Sequence, residues 1–539
     1  MSVIKKRKVN KPSERSNYLR SLRKLTPTHI LEIELEVNDN QKYKLLSINE
    51  HLRVIHNTVL GEVYKKYKQM VRSKKYKRAI KLYRIDKNKG KSLLNEIAKD
   101  FNLTFDYVRK SGEALRRFKF KKPDAVTVLS VCEIAWKSIE NLMYKGAKKV
   151  RFYRKGERIV FQGKQANRSI ILKNNHLSFM RMKLPLIVKK NDLFVQETLS
   201  LVNEYNKNNE EIDNINIDNY IHKRDLNSTF RVRNSRIVIK KIRGKIRFFA
   251  QIAIEGKPVP KRNRDGSFRH KFTSGRVGGD IGTQTLAIVT KDEVFLKNFA
   301  IRSESTFKQE RKVRLLQRYL DRSRRSMNPS KFDDKGRFIG SGEPWKFSKK
   351  YKKALMKYQN ISRKASVNRK LSHNEDVNYI RSLGDTFYIE EMNIKGLQKR
   401  AKETTKNEKT GKFNKKKRFG KSVLNRSPGY FIAQAKERFK ATGGSVKEVD
   451  TWSFKASQYC HMEDDFKKKK LSDRWHKFKC GSKVQRDLYS AFLLYCSDET
   501  LESANKKLCD KFYPKFKKNH DEFINKIKND RKVVLNSGI

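Results

Sequence analysis

The sequence of 539 residues is short of acidic side chains. It has 57 aspartates and glutamates against 128 lysines and arginines, which gives a formal net charge of +71 at pH 7. A chain with so much self-repulsion needs a polyanion to stay compact, and nucleic acid fits best. Neutralising this surface takes on the order of 70 nucleotides, since each nucleotide carries about one phosphate charge. A long, stably bound nucleic acid is therefore predicted.

Long apolar runs and cysteines are also scarce. No stretch approaches the roughly 20 residues needed to cross a bilayer, and no signal peptide opens the sequence. The cysteines are an odd number scattered along the chain, which is typical of reduced thiols and not of a disulfide framework. No fixed-period repeat is evident, which disfavours a solenoid. We expect a soluble intracellular protein without a membrane partner. The cysteines are Cys132, Cys460, Cys480, Cys496 and Cys509.

The N-terminal half mixes strand and helix patterns. Residues 29–37 (HILEIELEV) alternate apolar and acidic side chains, as in a strand with one buried face. From Ser47 the apolar spacing is helical, and Ser47 with Glu50 forms a capping box. Alternation returns in KKVRFYRKGERIVFQG and in RIVIKKIRGKIRFFAQIAI, where Gly244 or a neighbour turns a hairpin. These patterns predict a β-domain interrupted by a basic helical insertion.

Three acidic residues stand beside apolar elements. Asp280 lies between glycines just before the buried strand of GGDIGTQTLAIVT, and Glu390 follows the apolar strand of DTFYIEEMNIKGL. Asp487 opens a helix with a buried face in CGSKVQRDLYSAFLLYC. If the fold brings them together, these carboxylates repel strongly unless a divalent cation neutralises them.

This set of acids suits hydrolysis of a phosphodiester. Two Mg²⁺ ions about 3.5 to 4 Å apart activate a water and stabilise the leaving oxygen, and carboxylates hold such ions well. Each acid alone also has an ordinary structural explanation. An Asp before Gly is usually in a turn, a Glu ending a strand is usually solvated, and an Asp opening a helix is usually a cap. On pattern alone both interpretations stay open.

The same segments resemble the three conserved motifs of a RuvC-type nuclease domain, as found in TnpB nucleases and compact type V CRISPR effectors. DIGTQTLAI resembles the first motif, IEEMNIKGL the second and QRDLYSAFL the third. The stretch NRSPGYFIAQAKERFKATGGSVKEVDTWSFKASQYC resembles the segment before the third motif. The resemblance is specific from about residue 276 to residue 496, and over the first 275 residues it is one of layout.

The resemblance implies a multidomain α/β fold in which an RNase H-like RuvC nuclease domain follows a wedge-like β-barrel with an inserted helical recognition lobe. The expected regions are a basic tail (1–27), the β-barrel domain (28–44 and 146–275), the recognition lobe (45–145), the RuvC domain (276–449 and 487–539) and a degenerate zinc-finger-like insertion that binds target nucleic acid (450–486).

The resemblance also implies the catalytic residues. The metal-binding acids of the family fall on Asp280, Glu390 and Asp487, which are expected to hold two Mg²⁺ ions. Glu391 is adjacent to Glu390, but the family pattern places the ligand first in the pair. All three positions keep an acid, which argues against a nuclease-dead repressor. Arg486 either approaches the scissile phosphate or is a solvated or ion-paired side chain.

One region departs from the family. TnpB proteins usually carry four cysteines before the third motif, whereas YCHMEDDFKKKKLSDRWHKFKCG retains only Cys460 and Cys480. His461 and His476 lie nearby, but His461 adjoins Cys460 directly, which is a poor spacing for chelating one tetrahedral ion. A Cys2His2 zinc site stays open. The favoured hypothesis is a finger without zinc, held by hydrophobic contacts, since two of the usual thiolates are missing.

The implied function is RNA-guided DNA cleavage in the cytoplasm or nucleoid of a prokaryotic cell. A guide RNA pairs with double-stranded target DNA next to a short flanking motif and displaces one strand, while the protein recognises the heteroduplex by shape and backbone. The alternatives are a guided DNA binder without cleavage, an RNA-independent RuvC-like nuclease or transposase, and a general RNA-binding scaffold. Whether the guide comes from a CRISPR array or a transposon end stays open.

Basic helices of residues 45–145 and 305–370 are expected to line the nucleic-acid channel. Aromatic residues interleave with lysines in VYKKYKQMVRSKKYKRAIKLYR, where they either stack on splayed bases or pack in a helical core. For any single one of Tyr64, Tyr67 and Tyr76, packing in the core is the favoured interpretation.

Overall fold

A computed structural model of the chain has two compact units, one up to Ser267 and one from Phe268. The predicted basic tail, residues 1–27, lies outside the described residues. The structure describes residues 28–164, 168–210, 230–256, 258–303, 309–334, 336–340, 342–401, 403–407, 411, 413–414, 420–470, 473–530, 533–535 and 537–539.

The first unit has a four-stranded antiparallel sheet with the order β1-β7-β6-β2 and a three-stranded antiparallel sheet, β3-β4-β5. Leu31, Ile33 and Leu35 of β1 are buried, as the alternation predicts. Arg243 and Gly244 turn the β6–β7 hairpin with φ angles of 50° and 83°, the left-handed pair that a two-residue hairpin needs. The strands are β1 (Thr28–Leu35), β2 (Phe161–Gln162), β3 (Ile170–Lys173), β4 (His176–Phe179), β5 (Met182–Pro185), β6 (Val232–Ile242) and β7 (Lys245–Glu255).

Six helices complete the described part of the first unit. The first begins at Asp39, eight residues before Ser47, because Asn38 and Gln41 form the capping box. The box predicted at Ser47 and Glu50 is therefore wrong. The tyrosines Tyr64, Tyr67 and Tyr76 pack against the buried core. The helices are α1 (Asp39–Arg72), α2 (Lys74–Ile85), α3 (Lys87–Asp100), α4 (Phe105–Phe118), α5 (Ala125–Tyr144) and α6 (Leu193–Glu210).

The segment KKVRFYRKGERIVFQG was expected to form a strand, but only its Phe161–Gln162 does so. Side chains of α1 replace the missing strand partner. Asn57 both accepts from the amide of Tyr153 and donates to its carbonyl, and Asn49 exchanges the same two hydrogen bonds with Ile159. At Tyr153 and Ile159, asparagine side chains therefore satisfy the backbone in place of a neighbouring strand.

The second unit is built on a five-stranded mixed sheet with the order β10-β9-β8-β11-β12. β8, β9 and β10 pair antiparallel, while β11 runs parallel to both β8 and β12. Both faces are covered by helices: Leu286 and Ile288 of β9 pack with residues of α8 and α11, whereas Ala287 and Val289 pack with α13 and α14. The strands are β8 (Arg276–Ile281), β9 (Thr285–Val289), β10 (Val294–Asn298), β11 (Thr386–Glu390) and β12 (Ser445–Val449).

Two long helices and several shorter ones surround this sheet. None of the described helices of the chain is long and apolar enough to span a membrane. The α/β class with more than one compact unit is confirmed, while the RuvC and wedge-barrel assignments stay predictions. The helices are α7 (Glu310–Ser326), α8 (Lys349–Leu383), α9 (Ile394–Leu397), α10 (Gly420–Arg426), α11 (Pro428–Ala441), α12 (Thr451–Phe454), α13 (Arg486–Tyr495) and α14 (Lys506–Asn529).

Four short strands form a small lobe before α13, which we call the knuckle (residues 459–485). They pair as two antiparallel hairpins, β13 with β14 and β15 with β16. The strands are β13 (Tyr459–Cys460), β14 (Asp465–Phe466), β15 (Trp475–Lys477) and β16 (Lys483–Gln485).

Candidate active site

The parallel pairing of β8 with β11 places two of the predicted acids side by side. Gly279 lies opposite Ile389, so the next residues along the two strands are Asp280 and Glu390. Ile389 is buried in the core beneath α8 and α11. Because side chains alternate between the faces of a sheet, Glu390 and Asp280 both point to the opposite face, where α13 packs.

A glycine lets the helix with the third acid come close to this face. A Cβ at Gly278 would lie 2.1 Å from the carbonyl oxygen of Ala491 and 2.4 Å from the amide nitrogen of Tyr495, so backbone touches backbone there. Asp487 precedes Ala491 by about one turn on the same side of α13, and Asp280 is two residues beyond Gly278 on the same face of β8. This geometry brings Asp487 towards Asp280.

The electrostatics of Asp280 reflect this arrangement. Burial raises the pKa of its carboxyl well above the ordinary value, and the charges of Asp487 and Glu390 raise it further. The pKa of Glu390 is also raised, again mainly by burial. Among the described residues, the cation that acts on both carboxyls is the guanidinium of Arg486. One arginine therefore faces three acids.

Neighbouring polar groups orient two of the carboxylates. The hydroxyl of Thr285 donates to Oδ2 of Asp487 at 3.1 Å, and a backbone hydrogen bond from Ala456 reaches the Glu390 carboxylate. The sequence analysis missed Thr285 and Ala456. Thr285 ends the turn between β8 and β9 in the first motif. Its closeness to Asp280 in the sequence is the signal that could have identified it. Nothing in the local sequence marks Ala456, because every residue except proline has a backbone amide.

The donor set fits a hard divalent cation. Asp280, Glu390 and Asp487 are half-buried residues, and carboxylate oxygens are the ligands that Mg²⁺ prefers. Their ligand atoms do not all lie within 4.8 Å of one another, since the group of described residues that meets this limit lies in the knuckle.

Arg486 and Glu391 occupy different positions around the acids. Arg486 directly precedes Asp487, and its Nη1 donates to the carbonyls of Lys470 and Asp473 at 3.3 and 3.4 Å. Glu391 follows the strand and is exposed, while its backbone amide donates to Val449 at 2.9 Å. The guanidinium is thus held next to the acids, whereas the Glu391 side chain faces solvent.

The two cysteines of the predicted zinc site differ in environment. Cys460 is buried and Cys480 is exposed. Cys460 lies instead with Glu463 and Asp465, whose ligand atoms are all within 4.8 Å of one another. His461 is buried, and its Nδ1 is 2.7 Å from the hydroxyl of Tyr489. The residual zinc site of Cys460 and Cys480 stays a prediction. The possible metal ligands grouped with Cys460 are the carboxylates of Glu463 and Asp465.

A lysine enters the centre of the knuckle. The ammonium of Lys469 contacts Nδ1 of His476, and burial lowers the pKa of this lysine to about 8, although Cys460 and Glu463 act to raise it. The ring of His476 packs 4.4 Å from that of Tyr489 and 4.5 Å from that of Phe478. The side chain of Lys469 and the packed rings of His476, Phe478 and Tyr489 therefore hold this part of the knuckle together.

Comparisons with known proteins identify no family for the chain. No protein-family model matches it, and no curated protein matches it. The chain is similar to one in a solved structure of a Cas12f1-sgRNA-target DNA complex, with 11% identity, a TM-score of 0.41 and coverage of 86% of this chain and 98% of that chain. A chain in a CRISPR-Cas12f ternary complex is 13% identical, with a TM-score of 0.26 and 85% of each chain covered. Similarities at these TM-scores are too low to assign a fold.

Proposed function

We propose that the protein is an RNA-guided DNA endonuclease, either a compact type V CRISPR effector or a TnpB-like nuclease. The observation that carries this proposal is the convergence of Asp280, Glu390 and Asp487 on one face of a mixed sheet. Three acids from distant segments, opposed by one arginine in a chain of 128 basic residues, have no evident structural purpose without cations. The strand order, three antiparallel strands continued by two parallel ones, supports an RNase H-like RuvC domain.

The three carboxylates would hold Mg²⁺. When bound, the ions supply a hydroxide nucleophile and charge stabilisation for an in-line displacement at phosphorus. Thr285 and the amide of Ala456 keep two carboxylates in fixed orientations, so that little reorganisation is needed when ions bind. Arg486 is positioned to attract the phosphate, because its guanidinium is fixed by backbone carbonyls beside Asp487.

The partners proposed are a guide RNA, double-stranded target DNA and the single strand displaced from it. Support comes from the net charge of +71, which matches a long polyanion better than a short duplex site. Tyr64, Tyr67 and Tyr76 are half-buried and pack against the core, so recognition by the proposed helical lobe would depend on lysines and arginines at its surface.

The experiment that tests the proposal is a cleavage assay with co-purified RNA and a matched variant. Asp280→Ala should abolish cleavage in Mg²⁺ and leave guided DNA binding nearly intact. Unchanged cleavage by this variant would remove the site assignment. Selective cutting by RNA-free protein would favour an RNA-independent nuclease, and guided binding without cutting by the wild type would favour a repressor. Sequencing the bound RNA separates a CRISPR array from a transposon end.

We also propose that the knuckle folds without zinc. Lys469 supplies a cation within the fold, and the packed rings of His476, Phe478 and Tyr489 supply the contacts. Metal analysis of the purified chain should find no stoichiometric zinc, and Cys480→Ser should leave the unfolding temperature unchanged. One bound zinc ion per chain, lost in Cys480→Ser, would establish the residual Cys460 and Cys480 site instead.

A further inference from the structure

Two helices of the second unit form an antiparallel hairpin. α7 and α8 pack together, and Gln317 donates from Nε2 to the hydroxyl of Tyr358 at 3.3 Å. Gln317 lies nine residues before the end of α7, and Tyr358 lies nine residues after the start of α8. The chain between them, residues 327–348, which we call the aromatic loop, therefore closes the tip of the hairpin. It is described except for residues 335 and 341.

The aromatic loop begins a ladder of rings that continues into α8. The ring centroid of Trp345 is 5.7 Å from that of Phe338 and 6.2 Å from that of Phe347, with interplanar angles of 18° and 9°. Phe347 stacks in turn on Tyr351, at 4.6 Å and 21°. Phe338, at the outer end of the ladder, is 60% exposed. Large rings with this exposure cost free energy in water unless a partner covers them.

Buried polar groups hold the loop in this shape. Asn328 donates to the carbonyls of Arg324 and Lys346 and accepts from the amide of Lys346, which ties the two ends of the loop together. Lys331 is 1% exposed and donates to the carbonyl of Glu343 at 2.5 Å. The rings are therefore fixed before any ligand arrives, which lowers the entropy cost of binding.

Cations surround the rings. The guanidinium of Arg324 lies 5.7 Å from the ring centroid of Trp345, and that of Arg325 lies 5.6 Å from the centroid of Phe332. Arg337 and Lys346 of the loop are exposed. Arg324 and Arg325 each also pair with Asp321, so Arg337 and Lys346 are the cations that the loop offers to a phosphate. A ring surface beside such cations matches a nucleobase attached to a phosphate backbone. A second copy of this chain is a poor partner, because two bodies with a charge of +71 repel.

We propose that the aromatic loop is a binding site for single-stranded DNA, in which an unpaired base stacks on the open face of Phe338. The choice of DNA rests on the proposed function, which makes a displaced DNA strand the single-stranded substrate of this unit. α8 has 35 residues and is therefore roughly 52 Å long, and it ends three residues before β11. The loop is thus distinct from the carboxylate site and contacts DNA at a distance from the cut.

The test measures binding of the full chain in a chelator, so that no cleavage occurs. The probe is a fluorescent oligothymidylate about 20 nucleotides long, longer than a single binding groove covers. A second probe of equal length has abasic sites in place of its bases. High salt weakens contacts made by phosphates alone and leaves stacking. The variants are Phe338→Ala, Phe338→Trp and Ile339→Ala; Ile339 is the matched control because it is 61% exposed in the same loop and has no ring.

Loss of one base stack predicts that Phe338→Ala weakens oligothymidylate binding about tenfold, with Phe338→Trp restoring it and Ile339→Ala leaving it unchanged. The abasic probe should bind wild type and Phe338→Ala equally. The proposal is overturned by equal losses on both probes, by a larger loss on oligouridylate, or by a wild-type dimer that Phe338→Ala dissociates. If the chain binds the probes as expected but does not cleave DNA, the binding site in the loop is supported and only the proposed nuclease function is rejected.

Discussion

Two groups of acids in the second unit are treated in opposite ways by the surrounding chain. In the knuckle, Glu463 accepts from Lys467 at 2.9 Å and from the amide of Lys479 at 2.6 Å, and these bonds lower its pKa. Asp464 is paired with Lys506 at 3.1 Å, and its pKa is lowered too. The pKa of Asp280, on the sheet, is raised by burial and raised further by the charges of Asp487 and Glu390.

The difference shows which acids serve the fold. A chain with more than two basic residues for each acid can place a lysine beside almost any carboxylate, and in the knuckle it does so. At the sheet, among the described residues, the guanidinium of Arg486 acts on both Asp280 and Glu390, so negative charge is left uncompensated there. Such an arrangement costs stability in the metal-free protein and becomes favourable when divalent cations bind.

The largest expected effect is on the cleavage rate, when a carboxylate at the sheet is exchanged for an amide and the same exchange is made in the knuckle as a control. Glu390→Gln should lower the cleavage rate by about 10³-fold, since charge stabilisation by a bound metal is worth several kcal/mol and each 1.36 kcal/mol is tenfold. Glu463→Gln is the control and should change the rate by no more than about threefold, because the bonds of Glu463 to Lys467 and Lys479 lie within the knuckle and not at the carboxylate site. Single-turnover cleavage rates check this. Equal losses in both variants would remove the distinction between the two groups.

The next effect concerns the glycine under α13. Gly278→Ala places a Cβ 2.1 Å from the Ala491 carbonyl, so the helix with Asp487 must move. We expect a loss of about 1 to 3 kcal/mol in the free energy of unfolding, together with a fall of tenfold or more in cleavage. Denaturant titration and cleavage rates measure both.

Gly61→Ala is the matched helix control for this substitution, because the nearest atom to its added Cβ, in Phe152, is 4.0 Å away. It should stabilise the protein by about 0.5 to 1 kcal/mol. A Gly278→Ala variant as stable and as active as this control would show that the close approach is unimportant.

A smaller effect is expected on the stability of the metal-free protein when Asp280 is replaced. The raised pKa of Asp280 means that the folded state binds a proton more tightly than the unfolded state does. Its stabilising contribution is therefore present below the unfolded pKa and is lost as the pH rises through the folded pKa. Asp280→Asn removes the charge permanently, so in a chelator at pH 7 it should raise the unfolding temperature by about 2 °C.

Calorimetry with and without Mg²⁺ completes this test. Mg²⁺ should raise the unfolding temperature of the wild type by mass action and have little effect on Asp280→Asn. If Asp280→Asn were less stable than the wild type in a chelator, the carboxylate of Asp280 would not destabilise the metal-free protein.

The smallest effect concerns the hydroxyl that orients Asp487. Thr285→Val keeps the volume and removes the donor at 3.1 Å, which should reduce cleavage about fivefold, as expected for one hydrogen bond of roughly 1 kcal/mol. Thr285→Ser should restore the rate, since it keeps the donor. Identical rates for the valine and serine variants would show that the hydroxyl plays no part.

Local patterns predicted the elements that carry the acids. The apolar run after Asp280 forms β9, Glu390 ends β11, and Asp487 opens α13, because strand and helix periodicity reflect which faces are buried. The residue at which a helix begins was harder to predict. Ser47 and Glu50 have the spacing of a cap, yet Asn38 begins the helix earlier and Glu50 instead pairs with Arg53 at 2.7 Å.

Features that depend on distant segments could not be predicted from one sequence. Gly278 lies two residues before Asp280, and nothing in its local sequence indicates that it admits the backbone of a helix more than 200 residues later. The approach of Lys469 to His476 likewise arises from packing within the knuckle and has no local signature. Such contacts are determined by tertiary structure, and local periodicity carries no information on them.

The asparagines of α1 have a consequence for how the first unit assembles. Asn49 and Asn57 hold Ile159 and Tyr153 across sequence separations of 110 and 96 residues. Tyr153 and Ile159 bond through their backbone to these two asparagines, so both residues gain these hydrogen bonds only after α1 has formed. Docking of Tyr153 and Ile159 should therefore be a late step in folding, and a ribosome must release roughly 90 residues beyond α1 before it is complete.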